Sequence, residues 1–190
     1  MIEFLEKEHI YIKDGIIVPS VSEILKFIFP NKYKDVPKKV LEKKAEYGTR
    51  VHLAIQLLEE EGIKIKLNPN QRASLLQYLD LKKEYKIQVI EQEKIVSYKY
   101  EYAGRLDMIA YVNGELSLID IKTTYEIDEE YLSWQLSMYE LAYSKKFDKL
   151  YCLWLPKNKL GDLVEIKRKE KKEIIKKIKE KKENENKSRR

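Results

Sequence analysis

Between two apolar-rich segments the chain carries the dipeptide Asn113-Gly114, and no other feature limits the fold as tightly. Both residues tolerate the positive φ that two-residue hairpin turns demand, so Arg105 to Val112 and Glu115 to Lys122 are expected as antiparallel strands. A two-residue turn sets Val112 against Glu115; counting back, Asp107 falls opposite Asp120 and Arg105 opposite Lys122. Two carboxylates facing across a ladder, with Cβ atoms about 4.5–5.5 Å apart, repel one another and call for a cation. Carboxylate oxygens suit a hard divalent ion, Mg²⁺ or Mn²⁺. Side chains alternate along a strand, so Lys122 shares the face of Asp120, where an amine can position water or meet charge developing on phosphate. Both faces of the hairpin are apolar, with Ile109, Tyr111, Leu116 and Leu118 on one and Met108, Ala110, Ile119 and Ile121 on the other. The strands are therefore internal, and the charged residues gather at one end.

With 190 residues the chain can fill one core and is short for two. Its net charge of +6 is concentrated at one end: Glu165 to Arg190 holds 13 Lys and Arg against 6 Glu, leaving 25 basic and 26 acidic residues elsewhere. A positive groove on the body must come from local clustering, while the end segment is either a non-specific phosphate contact or a solvated helix. No apolar run is long enough to span a membrane and no leader pattern is present, so no membrane association and a cytoplasmic location are expected. Cys152, the single cysteine, lies in the apolar run Leu150 to Leu155 and reads as a small core residue.

Along the chain, His9 to Lys13 and Ile16 to Val18 flank Asp14-Gly15 as a small hairpin. Ser20 and Glu23 form a capping-box pattern for a short helix stopped by Pro30. Lys38 to Glu61 is helical with Gly62 as its stop, and Gly48, His52, Ile55 and Glu59 share one face. Asn68-Pro69 opens a third helix reaching about Tyr85, with Leu75, Leu76, Tyr78 and Leu79 as its buried candidates. Ile87 to Ser97 reads as a strand, and Tyr98 to Tyr102 continues toward Gly104. Asp128 caps a helix in which Gln135 and Tyr139 lie one turn apart. Lys149 to Leu155 is a buried strand, Asp162 to Lys167 an edge strand, and Lys169 to Lys182 a basic helix. The division is a single domain over residues 1–166, followed over 167–190 by the basic helix and a disordered tail.

Taken in order, Pro19 to Leu25, Gly48-Thr49-Arg50-Val51-His52, Gly104-Arg105-Leu106-Asp107, Asp120-Ile121-Lys122-Thr123 and the Gln135/Tyr139 pair resemble the PD-(D/E)XK nuclease superfamily. The resemblance is to its RecB-like exonuclease branch, of phage or mobile-element type, and covers about His9 to Leu155. It implies a restriction-endonuclease-like α/β core, a mixed β-sheet flanked by helices built on an αβββαβ unit. It further implies that His52, Asp107, Asp120 and the Ile121 carbonyl ligate one or two ions of Mg²⁺ or Mn²⁺, with Glu93 as an additional acidic ligand. Glu91 is an alternative to Glu93, because one residue of slip turns a strand side chain to the other face. Lys122 would position the attacking water, and Gln135 and Tyr139 would border the DNA path as further catalytic residues. The single cysteine excludes the cysteine-ligated iron–sulphur cluster of some branch members. Arg50 is either a phosphate contact or an exposed helical arginine, and the opening segment is assigned no catalytic work.

The function this implies is metal-dependent exonucleolytic hydrolysis of DNA from single- or double-stranded ends, in recombination, repair or phage replication. By analogy alone, a single-strand-annealing partner or a homo-oligomeric ring accompanies such layouts. Two alternatives stand beside it. One is a sequence- or structure-specific endonuclease of the same fold; the other is a catalytically silent DNA- or protein-binding module acting against host defence.

Overall fold

The computed structural model describes residues 1–6, 8–63 and 65–188. In chain order the elements are β1 (Ile2–Leu5), β2 (Ile10–Lys13), β3 (Ile16–Val18), α1 (Val21–Ile28), α2 (Lys38–Glu61), α3 (Pro69–Glu84), β4 (Gln88–Tyr98), β5 (Tyr102–Val112), β6 (Glu115–Lys122), α4 (Glu129–Tyr143), β7 (Lys149–Trp154), β8 (Asp162–Glu165) and α5 (Lys171–Ser188). The main sheet runs β4-β5-β6-β7-β8. β6 and β7 are parallel and the other neighbours antiparallel. That mixture follows from connectivity: hairpins join β4 to β5 to β6, whereas the return to β7 needs a crossover, which α4 provides. The architecture is the mixed, helix-flanked α/β sheet expected, consistent with a restriction-endonuclease-like fold.

Helices cover the sheet on both faces. On one, Leu25, Leu106, Ile109, Leu118, Leu136 and Ile178 join α1, α4 and α5 to the sheet. On the other, Ile55, Tyr78, Met108, Ile119 and Leu153 join it to α2 and α3. The hairpin faces divide as expected, except that Tyr111, one residue from the turn end of its strand, is 43% exposed.

Asn113 at φ 50° and Gly114 at φ 90° make the turn, and the pairing runs as counted from Val112↔Glu115 to Met108↔Ile119. There it stops. The expected pairings of Asp107 with Asp120 and Arg105 with Lys122 do not form, because the Asp107 Oδ2 itself accepts the Ile121 backbone N–H at 2.7 Å. Arg105 pairs instead with Ile95 of β4, while Asp120 and Lys122 align with Cys152 and Trp154 of β7.

Two further expectations are corrected, and one is extended. Tyr98 to Tyr102 is a tight turn between antiparallel strands, with Lys99 at φ 51° and Tyr98 paired to Tyr102. α3 buries Gln71, Ser74, Tyr78 and Leu81 and leaves Leu76 and Leu79 exposed. Its orientation is fixed by polar anchors, Ser74 Oγ donating to the Leu155 carbonyl at 3.0 Å and Tyr78 Oη to Glu59 at 2.8 Å. β1 adds a third strand to the small N-terminal hairpin.

That N-terminal sheet is tied to the main one by the Ala103 N–H donating to the Pro19 carbonyl at 2.9 Å. The Ser20–Glu23 capping box starts α1 beside it. α5 buries Ile174 and Ile178; residues 189 and 190, on which part of the expected disordered end falls, lie outside the described residues. Among the described residues no helix is long and apolar enough to cross a membrane.

Candidate metal and active site

Where β5 passes Asp107 the sheet is irregular on both sides. Pairing with β4 holds at Gln92↔Met108 and at Lys94↔Leu106 but skips Glu93 and Asp107 between them. Glu93 takes φ 49°, a left-handed conformation uncommon outside glycine. A regular strand keeps residues two apart on one face. Here Leu106 packs toward α1 and α4 and Met108 toward α2 and α3, so β5 changes face at Asp107. The consequence is a meeting of side chains from three elements: His52 of α2, Glu93 of β4 and Asp107 of β5 each bring one ligand atom within 4.8 Å of the others.

His52 is oriented by its other ring nitrogen. Nε2 lies 3.0 Å from the Ile121 carbonyl oxygen, which can only accept, so Nε2–H is the donor and the tautomer follows. In the neutral ring Nδ1 then keeps its lone pair, and Nδ1 is the atom 3.8 Å from Asp107 Oδ2. Histidines that ligate metals are commonly held this way, the second nitrogen donating to a backbone carbonyl.

Asp120 is placed one layer deeper and is 2% exposed. Lys122 Nζ forms an ion pair with its Oδ2 at 2.5 Å, yet that buried oxygen has no well-directed hydrogen bond. Burial pushes the Asp120 carboxyl up to about 6; the Lys122 charge opposes the rise and Asp107 adds to it. For Lys122, burial acts to lower the ammonium pKa, but the charges of Asp120 and Asp107 outweigh it and hold the group above its ordinary range. Glu93 is raised by burial and by Asp107, with Arg105 and His52 pulling the other way. Acidic groups crowded enough to resist ionisation, meeting an oriented imidazole whose Nδ1 lies on their side, form a donor set that fits a divalent cation.

A cavity of about 300 Å³ opens onto this cluster, with His52, Glu93, Arg105, Asp107 and Tyr139 in its wall. Tyr139 can lie there because Gly104 has no side chain: a Cβ at 104 would stand 2.6 Å from Tyr139 Cε1 and 3.1 Å from Val21 Cγ2. Burial first, then the Asp107 and Asp120 charges, hold the Tyr139 hydroxyl well above the usual phenol range, so it is a neutral donor. Gln135, one turn earlier on α4, has its Oε1 buried without a hydrogen-bond partner and is not part of this cavity's wall. Gly48 sets α2 close to the end of β6, a Cβ there lying 3.3 Å from Thr123 Oγ1.

Of the two acidic candidates on β4, Glu93 reaches the cluster, whereas Glu91 pairs with Lys94 at 2.7 Å. Arg50 donates to the Lys66 carbonyl at 2.8 Å. Asp120 lies outside the three-residue group of His52, Glu93 and Asp107 but interacts electrostatically with both Asp107 and His52. The residues that sequence reasoning missed come from the N-terminal sheet and its junction with α1. Glu6, His9, Tyr11, Ser20 and Ser22 all line the cavity, and no local signal in the sequence announces contacts about a hundred positions from the hairpin.

A solved structure with a similar fold is that of SSO0001, at 16% identity and a TM-score of 0.51, covering 85% of this chain and 73% of that one. The alkaline exonuclease LHK-Exo from Laribacter hongkongensis aligns at 13% identity and a TM-score of 0.47, over 85% of this chain and 84% of its own. A phage-related exonuclease from Haemophilus somnus 129PT aligns at 15% identity and 0.42, over 86% and 89%. No curated protein matches the sequence. The model of the PD-(D/E)XK nuclease superfamily matches residues 71–189, a span that takes in Glu93, Asp107, Asp120, Lys122, Gln135 and Tyr139 and leaves His52 outside. With well over half of its length in that match, the chain belongs to the PD-(D/E)XK nuclease superfamily.

Proposed function

We propose that this nuclease hydrolyses DNA phosphodiester bonds with Mg²⁺ or Mn²⁺ and works from ends. The observation that carries the reading is the convergence of His52, Glu93 and Asp107 within 4.8 Å, beside the buried Asp120–Lys122 ion pair. His52 Nδ1, Glu93 and Asp107 would hold an ion, with the Asp120 carboxylate beside them; the Ile121 carbonyl, expected as a ligand, instead accepts from His52 Nε2 and so orients the imidazole. A bound divalent cation supplies Lewis-acid polarisation of the phosphate and stabilisation of the leaving oxygen. The chain's own residues do the rest. Lys122, whose ammonium is held by Asp120 and Asp107, keeps its proton at neutral pH and acts by orienting water and countering phosphate charge rather than by removing a proton. Tyr139, neutral and set in the cavity wall, offers a hydroxyl to the substrate path, and Gln135 sits one turn behind it.

Support for action at ends is the resemblance of His52 and the Gln135/Tyr139 pair to the RecB-like exonuclease pattern. A role in DNA recombination, repair or phage replication rests on the same resemblance, as does a single-strand-annealing partner or homo-oligomer. The test is to incubate purified protein with 5′- and 3′-labelled linear single-stranded and double-stranded DNA and with closed circles, under Mg²⁺, Mn²⁺ or chelator. Expected are ion-dependent shortening of linear DNA, sparing of circles, and loss of activity in Lys122→Gln. Cutting of closed circles would make it an endonuclease. Intact DNA under every ion would leave a binding module.

A further inference from the structure

Arg105 is the one residue of the Gly104-Arg105-Leu106-Asp107 motif with a charge of the sign that phosphate requires, and its surroundings look built to aim it. Its Nε lies 2.8 Å from Glu93 Oε2, so it is tethered to a carboxylate of the ion cluster itself. On the other side its Cζ stands 5.3 Å from the centre of the Phe4 ring, within cation–π range. Its Nη1 meets Glu6 at 3.7 Å, beyond hydrogen-bond reach, and Glu6 is 81% exposed. Phe4 and Glu6 belong to the N-terminal sheet and its turn, which the Pro19–Ala103 hydrogen bond fixes next to Gly104. The guanidinium is thus clamped at one edge by Glu93 and on one face by Phe4, while its Nη1 donors stand beyond hydrogen-bond distance of Glu6.

The cavity gives those donors a destination. Its wall combines the acidic Glu6, Glu93 and Asp107 with the hydroxyls of Ser20 and Thr49, and among the described residues Arg105 is its only lysine or arginine. A phosphate entering that space is repelled by the carboxylates unless cations meet it; beside Lys122 and an ion held at the cluster, Arg105 is the cation in the cavity wall itself.

We propose that Arg105, positioned by Phe4 and by Glu93, forms a phosphate-binding subsite beside the ion cluster, so that the N-terminal sheet is part of the substrate site. The ligand is one phosphate group of the nucleic acid, terminal or internal. This deepens the nuclease reading and rests on it.

The experiment compares wild type with Arg105→Gln, Arg105→Lys and Phe4→Leu. Four quantities are read: thermal stability, Mn²⁺ affinity by calorimetry, DNA binding by anisotropy across a salt series in chelator, and KM and kcat. Arg105→Gln should weaken DNA binding about tenfold and lower the magnitude of the log–log salt slope by about one phosphate contact. Mn²⁺ affinity should stay within about threefold or tighten, since Glu93 is relieved of its partner. Arg105→Lys should recover part of the loss, and Phe4→Leu should give an intermediate one at an unchanged salt slope. Ends carrying phosphate or hydroxyl separate the two sources: a loss confined to phosphorylated ends marks a terminal phosphate, and an equal loss on both marks an internal one. An Arg105→Gln protein that stays folded and binds Mn²⁺ yet keeps the wild-type DNA affinity and salt slope overturns the subsite. A wild type that neither binds Mn²⁺ nor cuts DNA overturns the nuclease reading instead.

Discussion

Replacing Asp120 by asparagine should stabilise the protein in the presence of chelator while weakening its response to divalent ions. The side chain is 2% exposed, and burial lifts its carboxyl to about 6 from an ordinary 3.8, a value that already includes the favourable pull of Lys122. At pH 8 the folded state therefore carries an ionised group that it disfavours, by about 3 kcal/mol for two pKa units. The sign follows from proton counting. Between about pH 4 and pH 6 the folded state binds more protons at this site than the unfolded chain does, so wild-type stability falls as pH rises through that window. Asparagine does not titrate. The variant's advantage is therefore absent below pH 4, grows to about pH 6 and is constant above, where it should raise Tm by about 6–12 °C for a domain of this size. Calorimetric or fluorescence melts in EDTA from pH 4 to pH 8 read the difference, and the same melts with Mn²⁺ should show a larger rise for wild type than for the variant. An Asp120→Asn protein less stable than wild type at pH 8, or one whose difference from wild type ignores pH, would refute the reasoning.

Two more expectations follow from the same geometry. Gly104→Ala drives a methyl to 2.6 Å from Tyr139 Cε1 and should cost about 1–3 kcal/mol, with part of the loss returned by Tyr139→Ala in the same chain; additive effects in that double-mutant cycle would contradict the contact. Mn²⁺ affinity measured by calorimetry should rise from pH 5 to about pH 7 and then level off, with proton release on binding, because Asp120 and Glu93 are both raised and must ionise to ligate; a flat profile across that range would contradict it.

Much of the scaffold was legible because it depends on local rules. The Asn113-Gly114 turn fixed five consecutive pairs of the hairpin, the Ser20 and Asn68 caps fixed two helix starts, and Gly62 at φ 67° ended α2. The counting failed at Asp107, where a side chain took over a backbone hydrogen bond of the ladder, an exchange that periodicity does not register. The candidate residues were readable by type and order, but the means of bringing them together was not. Glu93 enters the cluster at a positive φ and a skipped pair, and a regular strand would carry no warning of either. The α3 face was misjudged because leucines at positions 76 and 79 looked like the buried stripe, whereas Tyr78 and Ser74 set the orientation through partners on α2 and after β7. Contacts of the N-terminal sheet with Arg105 span about a hundred residues and are set by tertiary packing alone.

Crystals grown with Mn²⁺ and measured at its absorption edge would test the account most directly. An anomalous peak in contact with Asp107, with His52 Nδ1 and the carboxylates of Glu93 or Asp120 around it and Lys122 alongside, is the expected result. Ion density elsewhere in the molecule, or Asp107 left without contact to it, would contradict the placing of the catalytic centre where β5 changes face.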